Sequence, residues 1–439
     1  MMWFYNTADP LRFVDVQNQL DALKGRGIRF LIFYAPYHGD PEMWLGCDPL
    51  DFFTTPPQSG TLQDWKNLVA AAHARGMKVG SYFVNIYIDQ RSQFFRTAEA
   101  QYRAGDRTSR EVSTFHWTTN PDQELPYAAA GGNEWLRSTT ASSPGNDVYY
   151  WSNWGMAGFD FALPGARAEI ERVEKFWLDT GMDGFMWDAV DAHPDFKHHL
   201  SDYPKNHSSS DKWLTFEVTD SELEQEYDQF GLTSWFSRYD DDDDNDYSLV
   251  ASGGTTDALE TALGHVDFAR ARGKTTHAWS NWNGEVYALH PMRRAQEAAL
   301  LAGAGILYGA ATYDEYVTWP LDARTAWEQV LVTVNANKAL LPQASRTRVP
   351  VTDNNRAYAM RRTSKDGSQT ALLVYLFSTS SANVTLNLAG TDLSLDQTPI
   401  NLFDTFQPPP ITGPSYTIAV PADGFRILQV TRQRPGATI

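Results

Sequence analysis

Two acidic side chains stand where acids are costly. Asp188 ends the run DGFMWD, and Glu217 sits inside WLTFEV with apolar neighbours on both sides. A carboxylate in an apolar strand is expensive to bury unless it is paired or put to use. One strand–connection–strand unit separates them. If the two runs are neighbouring parallel strands, ~4.8 Å apart, the carboxyls can approach to ~5–5.5 Å, the separation at which one carboxylate attacks an acetal carbon while the other delivers and retrieves a proton. An ion-paired acid at a strand end is the plainer alternative, and these two residues alone leave both readings open.

Other chemistry finds little support. The chain has no Gly-rich phosphate fingerprint, no HExxH and no G-x-S-x-G elbow. A single cysteine, Cys47, excludes an intrachain disulfide framework and a cysteine zinc site. His193, His198 and His199 read as a solvated loop. The run Asp240–Asp246 (DDDDDND) reads as a surface turn, because strong calcium sites space their ligands. Neither a metal nor a cofactor is expected. A net charge of −18 argues against binding a phosphate backbone, so no nucleic-acid partner is expected. No apolar run approaches ~18 residues, so no membrane span is expected. The start, MMWFYNTADP, lacks a basic and then apolar leader. That predicts a cytoplasmic protein, or a secreted or periplasmic one whose signal has been removed. Aromatic residues make up 13% of the chain, which suits flat sugar rings as well as an aromatic core. The oligomeric state is not legible.

The elements that must position Asp188 and Glu217 alternate in type. Strands are predicted at Met2–Tyr5, Ile28–Tyr34, Lys78–Val84, Asp183–Ala189, Trp213–Val218, Ser234–Tyr239, Thr275–Trp282 and Gly305–Ala310. Helices fall between them: Leu11–Gly25, a helix N-capped by Thr61 and ended by Gly76, Arg167–Thr180 behind Pro164, Thr256–Gly273 and Met292–Ala302. Eight strands alternating with helices read as an α/β fold, a (β/α)8 TIM barrel with a long insertion after strand 3. From Pro350 onward, short strands between turn residues predict a C-terminal antiparallel β-sandwich domain. The boundaries expected are 1–85 and 160–340 for the barrel, 86–159 for the insertion and 345–439 for the sandwich.

The segment GFDFALPGARAEIERVEKFWLDTGMDGFMWDAV resembles the stretch leading to the nucleophile of alpha-amylase family glycoside hydrolases. Asp160, Pro164, Arg167, Phe176, Trp177, Gly181, Asp183, Gly184, Phe185 and Asp188 carry the match. WLGCDPLDFFTTPPQSGTLQDWKNLVAAAHARGMKV is similar to the loop after the family's second strand and the following helix. AALLAGAGILYGAATYDE resembles its last helix and strand, and the tail its C-terminal β-domain. The resemblance implies a retaining glycosidase or transglycosylase with Asp188 as nucleophile and Glu217 as acid/base, acting on an α-linked oligosaccharide or glycoside.

Departures from the family cluster on the grip for the reacting sugar. The arginine two residues before the nucleophile is Met186. The third-strand motif D-x-x-x-N-H falls on Tyr82, Ile86 and Tyr87. The N-H-D motif after strand seven falls on Asn281, Trp282 and Asn283, so its carboxylate is an amide. The loop G-Y-D reads Gly46, Cys47, Asp48. Trp187, Trp279, Trp282 and Tyr87 are candidate stacking faces, with core or barrel wall as the alternative for each. Tyr37, His38 and Asp220 are further candidate sugar contacts. Two competing expectations remain: a non-catalytic carbohydrate-binding protein on the same scaffold, and a barrel glycosidase of another family that pairs Asp188 with a different acid, such as Asp220.

Overall fold

A computed structural model of the chain describes residues 1–4, 10–43, 46–126, 132–188, 212–216, 231–232, 256–271, 273, 277–279, 292–309, 312–352 and 356–433. Eight short parallel strands form its centre: β1 (Met2–Phe4), β2 (Phe30–Tyr34), β3 (Lys78–Phe83), β4 (Gly184–Trp187), β5 (Trp213–Phe216), β6 (Gly231–Leu232), β7 (His277–Trp279) and β8 (Leu307–Gly309). The first six pair in chain order, and β7 pairs with β8. The last strand returns to the first. Trp3 bridges in parallel to Thr312, just past β8, and the Met1 amine donates to the Tyr308 carbonyl at 2.6 Å. Among the described residues the eight strands thus form a six-stranded and a two-stranded sheet, linked beside β8 by that isolated bridge and the Met1 hydrogen bond. The sixth strand expected at Ser234–Tyr239 lies outside the described residues, and the strand found beside β5 is Gly231–Leu232 just before it.

The pleat sorts the side chains into two layers, because successive residues point to opposite faces. Phe33, Phe83, Phe185 and Trp187 face the helices. Phe33 meets Trp65 of α2 (Leu62–His73) at 5.1 Å, and Phe83 meets Trp177 of α3 (Pro164–Leu178) at 6.4 Å. The alternate residues Tyr34 and Tyr82 face the other way and meet each other. One floor is built lower down. The rings of Phe30 and Trp213 meet edge to face at 4.7 Å, and a Cβ on Gly80 would stand 3.0 Å from each ring. Glycine at 80 lets two large rings cross the sheet from strands on either side. Helix α2 starts as its sequence predicts, with a reciprocal capping box between Thr61 and Asp64, and α3 has Pro164 in its first turn.

Residues between β3 and α3, read from sequence as long and irregular, carry a helix (Gln93–Arg103) and a five-stranded antiparallel sheet. Its strands are Tyr87–Ile88, Trp117–Thr118, Glu134–Arg137, Tyr149–Asn153 and Met156–Gly158. Strands of two to five residues are too short to show a period among so many aromatics.

At the C-terminal end, β9 (Ala357–Thr363), β10 (Thr370–Leu376) and β13 (Gly424–Val430) lie in one sheet, and β11 (Ala382–Asn387) pairs with β12 (Ser415–Val420) in a second. Alternation splits the first sheet cleanly. Tyr358, Met360, Leu373, Tyr375, Phe425 and Ile427 join the barrel's core, whereas Ala357, Ala359, Leu372, Val374, Leu376 and Leu428 pack with Val384, Leu386 and Ile418 inside the sandwich.

One buried group stands out on α3. Glu174 is wholly buried, neither carboxyl oxygen is hydrogen-bonded, and burial pushes its pKa well above the ordinary glutamate range, with Glu171 adding to the effect. The folded state keeps this proton at pH values where the unfolded chain, titrating near 4.5, has released it. Stability from this group is therefore complete below about pH 4.5 and is lost as pH rises through the raised folded value. Glu174→Met should stabilise the protein at neutral pH by about 1–3 kcal/mol, since it removes an unsatisfied polar group. Urea unfolding at pH 5 and pH 8 checks this. The gain should be larger at pH 8, and equal stability of mutant and wild type at both values would contradict it.

Candidate active site

Asp188 is the first residue beyond β4. Its N–H donates to the Phe83 carbonyl at 3.1 Å, which carries the β3–β4 ladder one step past the strand end. Its Oδ1 accepts a hydrogen bond from the Tyr82 hydroxyl at 2.5 Å. Tyr82 is the Cα partner of Met186 across the two strands. Its ring lies flat on Tyr34, with centroids 4.3 Å apart and planes 5° apart, and Trp3 meets it edge-on at 6.4 Å. The barrel interior thus rises from the Phe30–Trp213 floor, through the tyrosine pair, to the carboxylate.

Loops after β2 and β3 build the surround. The chain leaves β2 through Ala35, whose φ of 47° is left-handed, and its N–H donates to the Tyr82 carbonyl at 3.1 Å. Tyr37 follows and is wholly buried. Burial drives its phenol well above the usual tyrosine range, helped by Cys47, Tyr87 and Asp188 nearby. A small hairpin (His38–Gly39 with Pro49–Asp51) comes next. It is tied to the loop after β3 by Arg91, which donates to Asp40 and to Asp89 at 2.6 Å each. Asp48 lies buried beside them with one carboxyl oxygen unbonded. Burial first, then the Asp89 and Asp40 charges, raise its pKa to about 6, against the pull of Arg91. Asp160, at the start of the α3 segment, receives His116 Nδ1 at 2.8 Å and the Ala162 N–H at 2.9 Å, which joins the sheet between β3 and α3 to the barrel.

The structure therefore gathers Asp188, Met186, Tyr37 and Tyr87 in one region, with His38 on the adjoining hairpin. It corrects the expectation for Trp187. The pleat that points Tyr82 and Asp188 inward points Trp187 outward, where it is wholly buried, stacked on Phe185 at 4.5 Å and edge-on to Phe83. Tyr37, expected as a sugar contact, presents its ring to Phe52 and Phe83 and is buried in the core. Glu217, Asp220, Asn281, Trp282 and Asn283 lie outside the described residues, and Trp279 is described as part of the β7 backbone. The Asp240–Asp246 run and the histidines at 193, 198 and 199 lie outside them too.

Sequence reasoning assigned no role to four residues here, although it met Tyr82 and Asp48 at motif positions. Tyr34 and Tyr82 carried a signal, as two tyrosines in otherwise apolar strands. Asp48 was visible only as a motif remnant. Asn85, just past β3, is wholly buried with both amide atoms unbonded. Shifting the third-strand alignment by one residue would set it under the motif's asparagine. Among the described residues, no group of three or more His, Cys, Asp or Glu side chains is placed to hold a metal ion, and no helix is long and apolar enough to cross a membrane.

Comparison with known proteins agrees with this fold. The family model for the alpha-amylase catalytic domain matches residues 14–233, half of the chain. Alpha-amylase 3 of Dictyoglomus thermophilum is 27% identical over 162 residues, covering 37% of this chain and 28% of that protein. Oligo-1,6-glucosidase of Halalkalibacterium halodurans is 27% identical over 177 residues, covering 39% and 30%. The match thus spans less than a third of these curated relatives. Amy13B of Eubacterium rectale superposes with a TM-score of 0.74 over 99% of this chain and 94% of that one, at 16% identity, a likeness of fold. The fold is a (β/α)8 barrel followed by a C-terminal β domain.

Proposed function

Since the chain belongs to the alpha-amylase family of glycoside hydrolases, we propose that it is a retaining glycoside hydrolase or transglycosylase acting on an α-linked oligosaccharide or glycoside. The observation that supports this most is the register of β4 and β5. Trp187 is the Cα partner of Phe216, and the next residues in sequence are Asp188 and Glu217. Active-site groups of such barrels sit at the C-terminal ends of the strands.

In the proposed reaction a carboxylate oxygen of Asp188 forms a bond to the anomeric carbon as the glycosidic C–O bond breaks. Glu217 gives its proton to the departing oxygen. Water then takes the aglycone's place and yields a proton to Glu217, and its oxygen bonds to the carbon as the ester to Asp188 breaks. The barrel is taken as 1–85 and 160–340, the inserted subdomain as 86–159 and the C-terminal sandwich as 345–439. Met186, Cys47 and Asn283 stand where the family carries arginine, tyrosine and aspartate, so the subsite for the reacting sugar differs from that for the glucose of starch. Asn281, Trp282, Trp279, Tyr87, His38 and Asp220 are the proposed sugar contacts around it.

A slowly hydrolysed 2-deoxy-2-fluoro-glycosyl fluoride tests the reading. A stoichiometric adduct found on the Asp188 peptide by mass spectrometry, with retained anomeric configuration of products by NMR, is the expected result. Inverted products would refute the covalent route. Sugar binding without turnover across a panel of aryl glycosides and oligosaccharides would favour a binding protein on this scaffold.

A further inference from the structure

We infer that Tyr82 does the work that an arginine at position 186 does elsewhere in the family: it is the positioning residue that holds Asp188 and favours its carboxylate form. The inference rests on the reading of Asp188 as the nucleophile. Three observations carry it. Met186 and Tyr82 are register partners on adjacent strands, so a donor from 82 reaches the same carboxylate from the side rather than from below. The O–H···O separation of 2.5 Å falls in the range of hydrogen bonds to ionised acceptors. The phenol is also fixed in place. Tyr82 is 1% exposed, its ring is stacked on Tyr34 and flanked by Trp3, and the neighbouring Met186 is wholly buried. The arginine's positive charge is gone, while a hydrogen bond to the charged form remains and favours that form.

The replacement changes the balance between the two half-reactions. With Oδ1 held by Tyr82, Oδ2 forms the bond to the anomeric carbon. Its electron pair moves into that bond as the aglycone leaves with the proton from Glu217. The Tyr82 hydrogen bond therefore weakens during glycosylation, as an ionised acceptor becomes an ester. In deglycosylation the C–Oδ2 bond breaks, its pair returns to the carboxylate, and the hydrogen bond is regained while the water proton passes to Glu217. A donor placed here helps the second step and slightly opposes the first.

Tyr82→Phe removes one oxygen and keeps the ring in its stack. On an aryl glycoside that the wild type hydrolyses, kcat should fall about 10- to 100-fold, the worth of a hydrogen bond to a charged group. The value of kcat/KM above the acid limb should hold level or rise slightly, a burst of aglycone should appear as the glycosyl-enzyme accumulates, and the acid limb of the kcat/KM profile should move to higher pH. Equal losses in kcat and kcat/KM with no burst, or no loss at all, would overturn the inference. A readout independent of turnover separates this claim from the one beneath it. In 13C-carboxyl NMR, with Asp188 identified by its absence in Asp188→Asn, the Asp188 titration should move to higher pH in Tyr82→Phe. If that shift appears in a protein that hydrolyses no glycoside, the Tyr82 assignment stands and the hydrolase reading falls. If Asp188 titrates identically in both proteins, the assignment falls.

Discussion

Asp188→Asn should lower turnover by about 10^4-fold or more, while the protein unfolds at the same urea concentration as the wild type. The amide keeps the shape of the side chain and still accepts the Tyr82 hydrogen bond. It carries no negative charge and is a poor nucleophile, so the covalent intermediate does not form. Removing a nucleophile of this kind usually leaves only the catalysis that binding and electrostatics supply. Glu217→Gln should behave differently with leaving group. Substrates whose aglycone needs protonation should lose about 10^2- to 10^4-fold, the usual worth of general acid–base catalysis. Aryl glycosides with acidic phenols should lose less in the first step. Steady-state kinetics on the two substrate types measure both effects. Full activity in Asp188→Asn would end the assignment of the site.

Gly184→Ala should be the most damaging single methyl group in the barrel. A Cβ on Gly184 would stand 1.6 Å from the Trp213 carbonyl oxygen and 2.8 Å from the Trp213 nitrogen. These are backbone atoms of the partner strand, so no side-chain rotation relieves the overlap. Strands β4 and β5 would have to part, and the bond from the Trp213 N–H to the Asp183 carbonyl, now 2.8 Å, would go with them. A loss above about 4 kcal/mol is expected, in the range reserved for named structural failures. Any folded fraction should also be poorly active, because displacement of a reacting group by ~1 Å can remove about 10^2-fold in rate. The same change at Gly264 in α4 (Thr256–Ala271), where a Cβ meets nothing within 4 Å, should stabilise the helix by up to about 1 kcal/mol. Urea midpoints of the two variants side by side test the contrast. Equal behaviour would show that the close approach at Gly184 is not what makes it a glycine.

The strand–helix alternation was legible because β2 and β4 are apolar runs and two helices carry start signals: Thr61 and Asp64 open α2, and Pro164 opens α3. The outward layer was harder to read. Trp187 and Asp188 are adjacent in sequence and belong to opposite faces, and only the pleat, fixed by pairing with Phe83 and Phe216, assigns each to its side. Tyr82 was visible as a polar aromatic in an apolar strand, but its bond to Asp188 joins residues more than a hundred positions apart and has no local signature. The sheet between β3 and α3 escaped notice because its strands are short and its aromatics face both ways. The sandwich strands were legible as short runs between turn residues, but the alternation of Leu372, Val374 and Leu376 with Leu373 and Tyr375 between two cores was not, because both sets are apolar.

That alternation ties the fates of barrel and sandwich together. Strand β10 gives Leu373 and Tyr375 to one core and Leu372, Val374 and Leu376 to the other, and the Tyr375 hydroxyl donates to the Ala299 carbonyl of α5 (Met292–Gly303) at 2.9 Å. Truncation ahead of β9 would strip a greasy wall from the barrel rather than release a spare module. Cooperativity of unfolding is thus built into a single ribbon, and a lesion inside the sandwich is transmitted to the barrel by the strands they share.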